Sequence, residues 1–318
     1  MKKKLTMTTT SRNKPFEEGY QDFIRVRTIL RVSDATIKHY NGTYKRFVKF
    51  FGKDTLCNEI NKNTPLDFEE WLQEENPEIK IKSINTYLID LGAIFNYLAE
   101  ENIIPRFTIK LLKEDEEIIK TYHNHEVKRL LKKPNLKQVT FSEYRNWVIC
   151  NYFMATGVRA ATLCNTRIDD IDFDRKQISL KKVKTKRQYI IPLTPALEKI
   201  LKEYLQYRKP EKENDFLFCN AYGEPLIYET LRTAIKRYNN SRGVEQTGLH
   251  LFRHTFAKQW IINGGDLGTL QQILGHSTMA MTMRYAKLFG QNYSNMFFKF
   301  NPLEQIKINE ERTHITMK

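Results

Sequence analysis

Six side chains, carried by four short segments, are suited to chemistry on a phosphodiester. The segments are ATGVRAATL (Ala155–Leu163), KTKRQYIIPL (Lys184–Leu193), HLFRHTFA (His250–Ala257) and LGHSTMAMTMRYA (Leu274–Ala286). The side chains are Arg159, Lys184, His250, Arg253, His276 and Tyr285. Two guanidiniums can clamp the non-bridging oxygens of a phosphate with forked hydrogen bonds, a geometry that a lysine ammonium cannot match. Imidazoles can donate further hydrogen bonds to it or trade protons near neutral pH. A tyrosine hydroxyl can attack phosphorus and conserve the bond energy as a covalent ester. The leaving 5′ oxygen then needs a proton, which a lysine on a hairpin can supply. With cations already offsetting the developing charge, no metal ion is required.

Each residue taken singly has an ordinary explanation. Arg159 follows Gly157 just beyond a helix end, where a solvated arginine is common. Lys184 falls at a hairpin tip, and an isolated His-x-x-Arg such as His250–Arg253 arises by chance in many chains. His250 and His254 have the spacing of a two-histidine zinc helix, but that motif needs Glu directly after the first His, where this chain has Leu251. His276 and Tyr285, alone, are compatible with core or surface positions.

The elements that must carry these residues can be read from periodicity. Phe16 to about Arg31 reads as a helix. A second, capped at Ser33 or Asp34, has Ile37, Tyr40, Tyr44, Phe47, Val48 and Phe51 on its core stripe and stops at Gly52. Leu66–Glu75 is a short helix. Ser83 is the expected cap of another, with Ile84, Tyr87, Leu88, Leu91, Ile94, Phe95 and Leu98 buried, ending before Pro105. After an aperiodic stretch, Glu126–Leu131 and Phe141–Thr156 are helical. Gln177–Val183 and Gln188–Ile191 form a hairpin, and Thr194-Pro195 opens a helix to Tyr207. Helices near Ile227–Tyr238, His250–Asn263, Leu267–Leu274 and Thr278–Tyr285 follow, with Gly264-Gly265 breaking the last long run. The fold class is mainly α with one small antiparallel β-sheet. The expected division is a basic arm (1–15), a helical domain (16–105), a linker (106–120), a second domain carrying the six residues (121–292) and a tail (293–318).

Composition narrows the partner. The chain has 318 residues, 52 Lys and Arg against 37 Asp and Glu, and a net charge of +15, so an anionic partner is expected, nucleic acid first. With 41% hydrophobic residues it is no disordered chain, and its length favours two cores. The four cysteines form no CxxC pair, so neither a disulfide framework nor a zinc site is indicated and reduced thiols in the cytoplasm are expected. The basic start has no apolar run behind it and no stretch is long enough to span a bilayer, so neither export nor a membrane partner is expected.

Taken together, the order, spacing and local sequence of Arg159, Lys184, His250-x-x-Arg253, His276 in LGHS and Tyr285 nine residues later resemble the tyrosine recombinase family of phage integrases and Xer-type recombinases. TGVRAATL is similar to the family's arginine-bearing turn, and KTKRQYIIPL to its lysine hairpin, with Lys184 placed by counting back from Pro192. The likeness covers about residues 112–300; the first domain resembles the family's SAM-like core-binding domain by length and pattern. It implies two domains clamped around duplex DNA, with Tyr285 attacking the phosphodiester to form a 3′-phosphotyrosyl link. It implies that Arg159, Arg253, His250 and His276 hold the phosphate, that Lys184 protonates the 5′-hydroxyl, and that a partner strand's 5′-hydroxyl resolves the link. No ATP or other cofactor and no metal are implied. Double-stranded DNA carrying specific recombination sites is the implied partner, with a homo-tetramer on synapsed DNA. The apolar tail (Tyr293, Met296, Phe297, Phe298, Phe300, Leu303) is expected to pack either on its own domain or on a neighbouring subunit.

Two positions depart from the family pattern. Thr162 stands where the family has Glu, three residues after the first arginine, leaving Asp170 as the nearby acid expected to help orient it; and Val183-Lys184-Thr185 replaces Gly-Lys-Gly. Strand exchange is the leading expectation. A type IB topoisomerase, religating the same strand, and an inactive DNA-binding accessory protein are the alternatives. The length suggests no arm-type third domain, which favours a simple Xer, transposon or plasmid-resolution enzyme over a large phage integrase.

Overall fold

Ser33 and Gly52 bound a helix whose start and stop are both local. Ser33 Oγ accepts the Thr36 N–H, and Gly52 at φ 87° ends the run, a conformation costly for residues with a Cβ. This helix is α2 (Asp34–Phe51) of a computed structural model that describes residues 14–114, 118–181, 188–212, 215–289 and 301–302. The chain divides into two units, Met1–Glu117 and Ile118–Lys318.

The first unit is all helical: α1 (Phe16–Ile29), α2, α3 (Thr64–Glu75) and α4 (Ile81–Glu100). Its centre is aromatic. The buried Phe47 ring lies 4.9–5.6 Å from those of Phe16, Phe51, Phe68 and Phe95, pairings that each stabilise by about 0.5–1.5 kcal/mol beyond simple burial. The predicted stripe of α4 is buried at Ile84, Leu88, Leu91, Ile94, Phe95 and Leu98. Ser83 is not its cap: Lys80 is, without a side-chain bond, because the exposed first turn can be satisfied by water. α3 begins at Thr64, ahead of the expected Leu66, with Pro65 in its first turn, where a missing N–H is harmless. Residues 106–114 carry no regular element. Leu112 is nonetheless fixed, donating its N–H to Asn85 Oδ1 and accepting from Asn85 Nδ2, both at 2.9 Å.

The second unit contains α5 (Asn124–Leu131), α6 (Phe141–Thr156), α7 (Ala160–Cys164), β1 (Ile171–Asp172), β2 (Gln177–Lys181), β3 (Gln188–Pro192), α8 (Pro195–Arg208), α9 (Tyr228–Ser241), α10 (Leu249–Ile262), α11 (Leu267–Leu274) and α12 (Met279–Phe289). The strands form an antiparallel sheet in the order β1-β2-β3, with Ile178 opposite Ile191 and Leu180 opposite Tyr189. Ile178, Leu180 and Ile191 face the core while Ile190, between two inward positions, is exposed, the period-two pattern of a half-buried sheet. α6 is buried on nearly every side, from Tyr144 to Phe153, and packs against α5, α8, α9 and α10. Thr194 Oγ1 caps α8 at the Leu197 N–H, followed by Pro195 as expected. The predicted hairpin residues 182–187, including Lys184, lie outside the described residues, as do most of the predicted arm and all but two residues of the predicted tail. No helix among the described residues is long and apolar enough to cross a membrane.

Candidate active site

α10 begins the site. His250, Arg253 and His254 stand three and four residues apart and share one helical face, with the two imidazole centroids 6.3 Å apart. α6 ends at Gly157, which takes the left-handed conformation (φ 61°) and turns the chain towards Arg159 at the start of α7. α11 ends in the same way at Gly275 (φ 60°), immediately before His276.

These two helix ends hold the arginines. Arg253 Nη1 donates to the Gly157 carbonyl at 2.9 Å, and Nη2 donates to the Leu274 carbonyl at 2.8 Å. Arg159 Nη1 donates to the same Leu274 carbonyl at 3.4 Å. Carbonyls at helix C-termini carry partial negative charge and attract cations. Arg253 is only 4% exposed, and among the described residues no carboxylate forms an ion pair with it. Burial, then repulsion from Arg159, brings its pKa down to about 10, still fully charged at neutral pH. A buried cation held by neutral carbonyls is a costly arrangement unless an anion completes it.

α12 supplies the phenol. Tyr285 is 5% exposed and its Oη lies 2.8 Å from His254 Nδ1. The His276 ring is parallel to it with centroids 6.2 Å apart, so two imidazoles neighbour the phenol. Burial raises the Tyr285 pKa; the nearby charges of Arg253, Arg284 and Arg159 oppose that rise. His276 is itself fixed, with Nδ1 2.8 Å from the Thr282 hydroxyl, one turn before Tyr285. Lost hydration, then the nearby Arg253 and Arg159, lowers the His250 pKa and favours its neutral form.

Five of the six sequence-predicted residues, Arg159, His250, Arg253, His276 and Tyr285, are therefore brought together; Lys184 lies outside the described residues. Thr162 is buried and its carbonyl accepts from the Thr166 hydroxyl, while Asp170 Oδ2 accepts the Arg167 N–H. Arg159 takes its hold from the Leu274 carbonyl. Two neighbours were not foreseen. His254 enters the sequence reading only through its zinc-helix spacing, although four residues from His250 is also the spacing of one helical face. Tyr189 on β3 feels the charges of Arg253 and Arg159, which pull against the burial that raises its pKa.

Residues 120–291 match the model of the phage integrase family, and residues 16–115 that of the phage integrase SAM-like domain. The first match spans more than half of the chain, and the chain belongs to the phage integrase family, the tyrosine recombinases that cut and rejoin DNA at specific sites. Among curated relatives, tyrosine recombinase XerD of Listeria monocytogenes serotype 4b (strain F2365) is 25% identical over 89% of this chain and 98% of its own length. Tyrosine recombinase XerC of Staphylococcus aureus (strain USA300 / TCH1516) is 26% identical, over 85% of this chain and 91% of its own. The same fold occurs in the XerH site-specific recombinase bound to palindromic difH (TM-score 0.70, 20% identity, 94% of this chain and 99% of that one). It also occurs in the Tn1549 transposon integrase bound to circular-intermediate DNA (TM-score 0.71, 20% identity, 86% of this chain and 95% of that one).

Proposed function

We propose that this recombinase breaks one strand at a time in duplex DNA through a covalent link to Tyr285, and that two such rounds exchange four strands. Tyr285 Oη attacks the phosphorus and the 5′ oxygen leaves. Arg159 and Arg253 hold the non-bridging oxygens, His250 and His276 add hydrogen bonds, and Lys184 gives the 5′ oxygen its proton. The 5′-hydroxyl of a partner strand then attacks the phosphotyrosine and frees Tyr285. The observation that carries this reading is the buried Arg253 guanidinium, tied to two helix-end carbonyls with no acid paired to it among the described residues, and close enough to the buried phenol for its charge to be felt there. A phosphodiester supplies the missing anion. Tyr285 protonated at rest fits an enzyme that is inert without DNA.

The biological task is movement of a mobile element or Xer-type resolution, carried out in the bacterial cytosol by a tetramer on two synapsed sites. Relatives of both kinds, the Xer recombinases and the Tn1549 integrase, support that pair of tasks. The tail from Tyr293 onward is the segment we assign to a neighbouring subunit. The division of labour between units is binding by residues 16–105 and chemistry by 121–292, in keeping with the two family matches.

The test is a supercoiled plasmid carrying two copies of the DNA flanking the gene. Strand exchange between the copies, dependent on Tyr285, is the expected result. Relaxation without any exchanged product would assign the protein to same-strand religation, and binding without either would leave it an accessory protein.

A further inference from the structure

The tyrosine needs somewhere to put its proton, and a side chain outside the predicted set is placed to take it. His254 Nδ1 lies 2.8 Å from Tyr285 Oη, with the ring centroids 5.7 Å apart. The nearby Arg253 charge favours the phenolate form of Tyr285, against the burial that raises its pKa. The tautomer with Nε2 of His254 protonated lets Nδ1 accept from the phenol. We propose that His254 is a catalytic residue of this site: Nδ1 first aims the Tyr285 hydroxyl by accepting its hydrogen bond, then takes the proton as Oη bonds to phosphorus. This rests on the strand-transfer reading above.

The step balances. The Oη–H bond breaks and an Nδ1–H bond forms; the Oη–P bond forms as the P–O5′ bond breaks, and Lys184 protonates the 5′ oxygen. The imidazolium returns its proton to Oη when the phosphotyrosine is resolved. The groups around His254 favour this order of events. His250 and Arg253 on α10 and Arg284 on α12 add to burial in holding its pKa down to about 4, so its lone pair is free at neutral pH. A base that weak leaves the resting phenol protonated. Transfer becomes favourable only as Oη turns into an ester oxygen and loses its basicity, and the phosphodiester's own charge then stabilises the imidazolium. His276, its ring parallel to the phenol, has Nδ1 engaged with the Thr282 hydroxyl.

The experiment measures SDS-stable adduct formation on a nicked suicide duplex by the full-length protein. His254→Phe should slow capture by about 100-fold with DNA affinity within about twofold of wild type. Replacing Tyr285 with a ring-fluorinated, more acidic tyrosine should recover about tenfold of that loss, while changing the parent by less than about threefold, since only the variant lacks an acceptor. His254→Asn keeps an acceptor at the Nδ1 position but cannot hold the proton. It should show the same rescue, and serves if the Phe variant does not fold. Capture by both variants at the parental rate, or a defect indifferent to phenol acidity, overturns the assignment of His254 alone. Absence of any adduct from the wild-type protein overturns the strand-transfer reading as well.

Discussion

Arg253 directs two of its five donors at main-chain carbonyls, and its charge is felt at the Tyr285 phenol. Lysine has neither the fork nor the reach to do both, so Arg253→Lys should lower the rate of covalent capture by about 100-fold or more in single-turnover assays. His254 makes a separate prediction about stability. Its folded pKa, about 4, is depressed below the ordinary imidazole value of 6.5. Between those values the unfolded chain binds a proton that the folded one refuses, so stability falls as pH drops through that window. Carboxylates titrate there too, but the contribution of this imidazole is isolated by comparison: His254→Asn should flatten the loss of Tm between pH 6.5 and 4 relative to wild type. An unchanged slope would mean that His254 is charged in the folded protein. That Arg159, His250, Arg253, His276 and Tyr285 would gather at one place was legible from their types and spacing, because phosphoryl transfer without a metal requires a concentration of cations. The partner of His254 was not legible. Which group that face meets depends on how α12 docks on α10, a matter of tertiary packing.

The ends of α6 and α11 do more for the site than their middles. Both close with a left-handed glycine, and the carbonyls there, Gly157 and Leu274, are those that fix Arg159 and Arg253. A Cβ at Gly157 would come within 2.5 Å of Phe256 Cδ1, in a backbone conformation that L-residues adopt at a cost of about 1–2 kcal/mol. Gly157→Ala should therefore lower Tm by several degrees in a thermal melt and slow covalent capture as well, because the displaced carbonyl is a ligand of Arg253. Helix boundaries were readable where a cap is local chemistry, as at Ser33, Gly52 and Thr194-Pro195. Ser83 misled because a serine near a helix start need not be its cap. α7 and β1 escaped notice for another reason. Five and two residues are too short to carry a period, and both exist through packing and through the pairing of Ile171 with Ile178.

The charge of +15 belongs to the chain as a whole and sets affinity for the phosphate backbone more than choice of site. Binding to duplex DNA should weaken with salt at a log–log slope of about −5 or steeper, the value for six contacted phosphates. A slope near zero in a titration from low to high salt would contradict a backbone-tracking mode. The two-unit organisation followed from the change of pattern after Pro105, since an all-helical stretch gives way to one with alternating strands. Base preference was not legible, because it resides in contacts with a ligand rather than in the fold. What all of this converges on is an ester between DNA and one phenol. Mass spectrometry of the proteolysed adduct from a nicked duplex tests it most directly. A 3′-phosphonucleotide on the peptide that begins at Tyr285, absent from Tyr285→Phe, is the predicted result; attachment to any other residue, or capture that survives the loss of that hydroxyl, would contradict it.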